Sequence, residues 1–459
     1  MTLVSSQHQV LNTDLYQLTM AAGYFVQGLA ERRATFELYV RRLPPKRSFL
    51  VAAGLEQALD YLKDLRFELD DLAALRELPV FARVPAAFFD YLGSLRFEGD
   101  VWALPEGTVF FPYEPILRIT APLIQAQLVE TWLLSMLNYQ TSVASKAARV
   151  QLALANSGSS ARFIDFGSRR AHGPQAALLA ARAAWIGGAT GTSNVHAAHA
   201  LGIPAIGTAA HAWTMAFGDE PAAFAAYREI FPEHSTLLVD TYDTIQGIRH
   251  AIASGAGLKG IRLDSGDFLG LSREARQMLD DAGMPETKIV VSGDMNEYKI
   301  RDLLAAGAPI DLFGVGTELV TSIDAPSLGG VYKLTEVEDG SGGMRQALKL
   351  SSSKVSYPGC KQVWRQSEQG AFSHDILDLD DQTQPGEALL VKVMAAGEQL
   401  VAHPPVAAIQ QHTLRQLAQL PAPLQALEPA ESYSVGIGAG LQERFDTLKN
   451  QMMQKEMEK

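Results

Sequence analysis

The chain carries a single cysteine, Cys360, among 459 residues. One thiol excludes an internal disulfide framework and any cysteine-rich metal site. Basic runs are missing too: 39 Lys and Arg stand against 51 Asp and Glu, a net charge of −12. That balance argues against a nucleic-acid surface, but it leaves room for phosphorylated small molecules, which need only a few well-placed arginines. No apolar run is long and clean enough to span a membrane. The segment Ala183–Gly218 lacks Asp, Glu, Lys and Arg altogether. It is nevertheless interrupted by Gly187, Gly188, Gly191, Asn194, Gly202, Pro204 and Gly207, and it holds His196, His199 and His211. It reads as buried strand, turn and short helix in alternation. The opening MTLVSSQHQVLNTD has neither the basic patch nor the apolar core of a secretory signal, so the expectation is a cytoplasmic protein without a membrane role. No Walker-type phosphate loop is present, so any ATP must be held by other means.

What is present is a rhythm. Residues 14–95 mix helical stretches, DLYQLTMAAGYFVQG and GLEQALDYLKDL, with ATFELYVRRLP, where Phe36, Leu38 and Val40 alternate with Thr35, Glu37 and Tyr39. From residue 160 onward the pattern becomes steadier. Strand-like runs fall at 163–167, 189–193, 203–208, 235–241, 260–266, 288–294, 311–317 and 328–334, most of them separated by helical patterning. The expected fold class is therefore α/β: an irregular (β/α) barrel over 131–335, beside an α/β domain formed from the N-terminal (1–130) and C-terminal (336–459) segments. Nearly every run ends in small or reactive residue types, which is the rim where barrel enzymes build their sites.

Four motifs carry candidate chemistry, each with a plainer reading beside it. DFGSRR puts Phe166 and the guanidinium pair Arg169 and Arg170 at a strand end; such a set suits a flat anionic substrate, or is a packed ring with surface arginines. GIRLDSGD aims Arg262 and Asp264 from one face of a strand, as site residues or as a structural ion pair. GVGTELV, with Gly316 and Thr317, exposes backbone amides to a phosphate or simply turns the chain. In LLVDTYDT, Asp240 reads as a partner for a sugar hydroxyl or magnesium, and Asp243 as a helix N-cap. His211 follows the apolar run IPAIGT and is a core histidine, a general base or a nucleophile that carries a phosphoryl group.

Taken together, NTDLYQLTMAAGYF, FELYVRRLP, FIDFGSRRAHGP, GATGTSNV, GTAAHAW, LLVDTYDT, IRLDSGD and FGVGTELVTSIDAPSLGGVYKL resemble the nicotinate phosphoribosyltransferase family over most of the chain. The resemblance implies that nicotinate and 5-phosphoribosyl 1-diphosphate are joined to nicotinate mononucleotide and diphosphate, with ATP as co-substrate and Mg2+ as cofactor. It makes His211 the phosphorylated histidine, with Asp240 and Asp264 at the ribose or its magnesium. Tyr16 and Phe166 would sandwich the pyridine, Tyr16 coming from the second subunit of a homodimer with shared sites. Arg169, Ser193, Thr208 and Arg262 would address nicotinate; Arg262, Gly293, Gly316 and Thr317 would address the phosphoribosyl diphosphate. Related nicotinamide enzymes carry an Asp in their counterpart of GATGTSNV, whereas Ser193 stands here, which favours the acid over the amide. Lys354 and Lys361, in KLSSSKVSYPGCKQVWR, are further candidates for phosphate contact, and Cys360 has no assigned role. The alternatives are a nicotinamide phosphoribosyltransferase, a quinolinate phosphoribosyltransferase, and a non-catalytic phosphosugar-binding descendant. The intact set His211, Arg262, Asp264 and Thr317 argues against the last.

Overall fold

The computed structural model describes residues 9–350, 355–428 and 431–457, the last three as backbone. The chain divides into two compact units, 143–326 and 2–142 with 327–459.

The 143–326 unit is built on a five-stranded sheet in the order Arg162–Asp165, Leu312–Val315, Lys288–Val291, Gly260–Leu263 and Thr236–Leu238. All four pairings are parallel, with Val315 opposite Asp165 and Arg262 opposite Val290. Phe163, Ile164, Ile261, Leu263, Ile289, Val291, Phe313 and Val315 are fully buried. Such continuous apolar runs are what a parallel sheet needs when helices cover it. Those helices include Pro174–Ile186, Thr244–Ala253, Phe268–Asp281 and Glu297–Ala305. Several start on a side chain that accepts a backbone N–H: Asn194 from Ala197, Asp219 from Ala222, Asp243 from Gln246 and Asn296 from Lys299. The N-cap role expected of Asp243 is thus present.

The expected ring of strands is only partly realised as hydrogen-bonded ladder. The runs 189–193 and 203–208 contribute single bridges, Asp165 to Thr192 and Thr192 to Ala205, and no closed barrel forms among the described residues. Their composition explains this. Pro204 has no N–H to donate, and Gly191 leaves just enough space for the side chain of Ile206. The eighth run, 328–334, departs further from expectation: Gly330–Glu338 is an antiparallel neighbour of Arg33–Val40 in the other unit.

In that unit, the two ends of the chain form one seven-stranded sheet, ordered Met344–Gln346, Gly330–Glu338, Arg33–Val40, Pro115–Pro122, Asp100–Ala103, Val391–Ala395 and Glu398–Gln399. Arg33–Val40 lies inside this sheet, and its apparent polar face is buried as well. Thr35 bonds Thr120 and Glu336, while Glu37 accepts from the Lys361 backbone N–H and faces the Lys361 ammonium at 2.7 Å. Lys361 also donates to the carbonyls of Tyr357 and Gly359. Its expected phosphate role is therefore corrected: this ammonium has spent its hydrogens inside the fold. Lys361→Met leaves Glu37 buried and unpaired and is expected to cost about 3–5 kcal/mol, read as a lower midpoint in urea unfolding. Lys354 lies outside the described residues. Cys360 donates to Glu336 at 2.9 Å, and burial pushes its thiol up to about 12, which makes it unreactive at neutral pH. No described helix is long and apolar enough to cross a membrane.

Candidate functional site

The C-terminal ends of the parallel strands converge on one guanidinium. Arg262, near the end of Gly260–Leu263, donates from Nε to Ser292 Oγ at 2.7 Å, from one terminal nitrogen to Thr208 Oγ1 at 2.9 Å, and from the other to Asp264 Oδ1 at 2.6 Å. It also sits over the Phe166 ring, 5.4 Å from its centroid. A guanidinium anchored through all three of its nitrogens, with only 12% of its side chain exposed, is held in one orientation. A Cβ at Gly314 would lie 2.4 Å from Phe166, so the chain must have glycine there for the ring to occupy this place.

Asp264 joins the cluster to His211. Ser292 Oγ hydrogen-bonds the same Oδ1 that receives Arg262, and Oδ2 is 3.8 Å from His211 Nε2. Partial burial pushes the Asp264 carboxyl upward, but the Ser292 hydrogen bond, Arg262 and His211 outweigh it and hold the group below the usual carboxylate range. It is a carboxylate throughout neutral pH. His211 opens the helix His211–Phe217, with Nδ1 3.2 Å from Thr241 Oγ1 and 40% of its side chain exposed. An imidazole with one edge pinned and the ring open to solvent can meet an incoming phosphoryl group.

Asp240 completes the floor. Its Oδ2 accepts from the Asp264 backbone N–H at 2.8 Å and from Ser265 Oγ at 2.9 Å, whereas its buried Oδ1 has no hydrogen-bond partner. A buried carboxylate oxygen without a donor is costly unless a ligand completes it. A sugar hydroxyl or a Mg2+ ion, which commonly takes one or two carboxylates plus substrate oxygens, would do so. Among the described residues no group of three or more His, Cys, Asp or Glu forms a metal cluster, so a resident structural metal has no cage here.

Asp165 organises a second edge. It is 1% exposed; one carboxylate oxygen accepts from the Gly167 N–H at 2.8 Å, the other from Thr192 Oγ1 at 2.7 Å, and its carbonyl accepts from the Ser193 N–H. The turns bearing Phe166 and Ser193 are thereby tied together, and Asn194 adds a bond to Ser168 Oγ. Burial pushes the Asp165 carboxyl up against the opposing pull of these hydrogen bonds.

The structure thus brings together Phe166, Thr208, His211, Asp240, Arg262 and Asp264. Gly316 touches the same cluster through the Phe166 carbonyl, 3.2 Å from where its Cβ would be, and Thr317 opens the short helix that follows. Gly293 has φ +95° and its Cβ position lies 2.1 Å from the Asp264 carbonyl, so no side chain fits at this crossing. Ser193 is exposed beside the Thr192 bridge. Arg169 sits in the Ser168–Arg170 turn and points to solvent without joining the Arg262 cluster. Tyr16 lies in the helix Leu15–Val26 of the other unit and is 47% exposed. The sequence reading missed Ser292 and Thr241 as contributors, and it placed Asp165 at the rim without giving it a role. All three stand at or just past strand ends, the signal that had singled out their neighbours.

Comparison with known proteins gives a consistent picture. The chain matches the nicotinate phosphoribosyltransferase (NAPRTase) N-terminal domain over residues 11–138 and the nicotinate phosphoribosyltransferase (NAPRTase) family over 161–342. It is 44% identical over 435 residues to the nicotinate phosphoribosyltransferase pncB2 of Mycobacterium tuberculosis, covering 93% of this chain and 91% of that protein. With the nicotinate phosphoribosyltransferase of Bacillus subtilis it shares 43% identity over 364 residues, 77% of this chain and 72% of that one. The crystal structure of human nicotinic acid phosphoribosyltransferase is similar with a TM-score of 0.83 at 28% identity, covering 95% of this chain and 99% of that chain.

Proposed function

The chain belongs to the nicotinate phosphoribosyltransferase family, and on that premise we propose that it joins nicotinate to 5-phosphoribosyl 1-diphosphate at the Arg262 cluster and spends ATP through His211. The protein is an enzyme of pyridine nucleotide synthesis. The observation that carries the proposal is the single network linking Phe166, Arg262, Asp264 and His211.

In the transfer, the pyridine nitrogen attacks C1 of the ribose as the bond to diphosphate breaks, and positive charge develops on the sugar. The carboxylates of Asp240 and Asp264 are fixed before the reaction by Ser265, Ser292 and Arg262, so they can stabilise that charge without reorganising. Phe166 stacks on the pyridine, and Arg262, Thr208 and Ser193 address its carboxylate. Gly316 and Thr317 take the 5′-phosphate, with Gly293 shaping the neighbouring turn. The partnerless Oδ1 of Asp240 fits Mg2+ brought in with the diphosphate, where the ion would neutralise the leaving group. In the ATP half-reaction, a neutral His211 ring nitrogen forms an N–P bond to the γ-phosphoryl group while the bond to the ADP oxygen breaks. The ring's growing positive charge faces the Asp264 carboxylate. Water later cleaves the N–P bond, releasing phosphate and restoring the imidazole. The proposal includes a cytoplasmic homodimer in which the exposed Tyr16 of one subunit closes the pyridine site of the other.

Formation of nicotinate mononucleotide from nicotinate and 5-phosphoribosyl 1-diphosphate, with and without ATP, tests the proposal directly. Absence of product under both conditions, or equal use of nicotinamide, would overturn it. Specificity has its own test. Ser193→Asp puts a carboxylate near that of nicotinate, a repulsion of about 2–3 kcal/mol at a surface-like dielectric. The expected outcome is a rise of roughly 30- to 160-fold in KM for nicotinate, with nicotinamide less affected in parallel steady-state assays.

A further inference from the structure

Below the phosphate-binding turns lies a buried ionic node that the reaction chemistry does not use. Lys146, on the helix Glu130–Ala155, is 1% exposed, and its ammonium lies 2.7 Å from Glu297, 3.0 Å from Asp324 and 3.7 Å from Glu318. Arg149, one helical turn on, donates to Glu297 at 3.0 Å and to the Tyr298 hydroxyl at 2.8 Å. Asn296 closes the node by donating to Glu318 at 2.9 Å while its own carbonyl oxygen caps the helix Glu297–Ala305.

The positions of these partners give the node its meaning. Asn296 and Glu297 lie two and three residues beyond the turn Gly293–Asp294, both of whose residues have positive φ. Glu318 is the neighbour of Thr317 in the short helix after Gly316. The strands that lead into these turns, Lys288–Val291 and Leu312–Val315, are paired side by side. One ammonium therefore fastens both turns, and Asp324 beyond them, to a single long helix. Three carboxylates surround two cations, so removing Lys146 enlarges the surplus of negative charge, and Glu297 and Glu318 would repel each other.

We propose that Lys146 is a positioning residue for phosphoribosyl diphosphate binding: it holds the Gly293 and Gly316 turns at the spacing their phosphate contacts require. This rests on the functional reading above, which places the phosphoribosyl phosphates at these turns. A misplacement of such turns weakens capture of the phosphate substrate, while the bonds of Arg262 to Thr208 and Asp264, which lie outside both turns, keep its hold on nicotinate.

The experiment compares steady-state kinetics and thermal unfolding of the full chain as wild type, Lys146→Met, Asp324→Asn and the double variant Lys146→Met/Asp324→Asn. Lys146→Met is expected to raise KM for 5-phosphoribosyl 1-diphosphate by about tenfold or more, with KM for nicotinate changed less than about twofold and kcat at saturation largely kept. The double variant, which removes one carboxylate with the cation, is expected to recover part of that loss. Equal increases in both KM values, or a fall in unfolding temperature with unchanged KM, would overturn the positioning role and leave Lys146 as packing. If Lys146→Met does not fold, the decision passes to Asp324→Asn, which loosens one arm of the node: a selective rise of KM for the phosphoribosyl substrate supports the role, and no change overturns it. Wild-type protein that makes no nicotinate mononucleotide would sink the functional reading itself, an outcome visible before any variant is measured.

Discussion

His211→Ala is expected to abolish acid-labile labelling of the protein by γ-labelled ATP, which wild type should show. The same substitution should remove the stimulation of nicotinate turnover by ATP, an effect on the order of 10- to 100-fold if phosphorylation couples to substrate binding as two-site linkage commonly does. The reason is local. His211 is the only imidazole near Asp264 among the described residues, its ring is part-exposed, and one nitrogen is fixed by Thr241. Because the ring is not packed in the core, its loss should change unfolding free energy by no more than about 0.5–1 kcal/mol. A large drop in stability together with retained labelling would mean that another group carries the phosphoryl and that His211 is structural.

The second large effect is expected at Arg262. Arg262→Met keeps much of the length and apolar stem but removes the fork that binds Ser292, Thr208 and Asp264. Loss of a preorganised cation of this kind should lower kcat/KM by about a thousandfold, close to 4 kcal/mol of transition-state stabilisation. The pH dependence should move with it. In wild type the Asp264 carboxyl is held below its ordinary range, so its favourable contribution is complete above the ordinary value near pH 4 and disappears only as pH falls through the lower, folded value. Without Arg262 one of the groups holding it down is gone, and the acid limb of the kcat/KM profile should shift to higher pH. A variant with near-normal kcat/KM and an unmoved acid limb would show that the Arg262–Asp264 pair is a structural ion pair, the plainer of the two readings its spacing allowed.

Much of this site was legible in the chain because parallel strands flanked by helices deliver their last residues to one rim. Asp264, Arg262, Asp240, Gly316 and His211 could be named from that rule and from the family resemblance. Ser292 and Thr241 obey the same rule, yet small hydroxyl residues after an apolar run are too common to stand out. Asp165 was harder still. Its role is to bind the Gly167 amide and the Thr192 hydroxyl, and Thr192 lies 27 residues further along.

The two errors of placement have the same origin. Lys361 looked like a free cation in a Ser- and Lys-rich stretch, but Glu37, far off in the chain, captures it. The run 328–334 had the composition of another barrel strand, but its hydrogen-bonding partner is Arg33–Val40. By itself, then, the sequence determined what is local: the α/β class, the apolar strands, the helix cap at Asp243, the glycines at crowded turns, and the residue types that the chemistry needs. Tertiary structure alone decided which charges are spent inside the fold and which remain for a substrate. That choice depends on partners distant in sequence, because a buried ammonium or carboxylate is neutralised by whichever opposite charge the completed fold sets beside it.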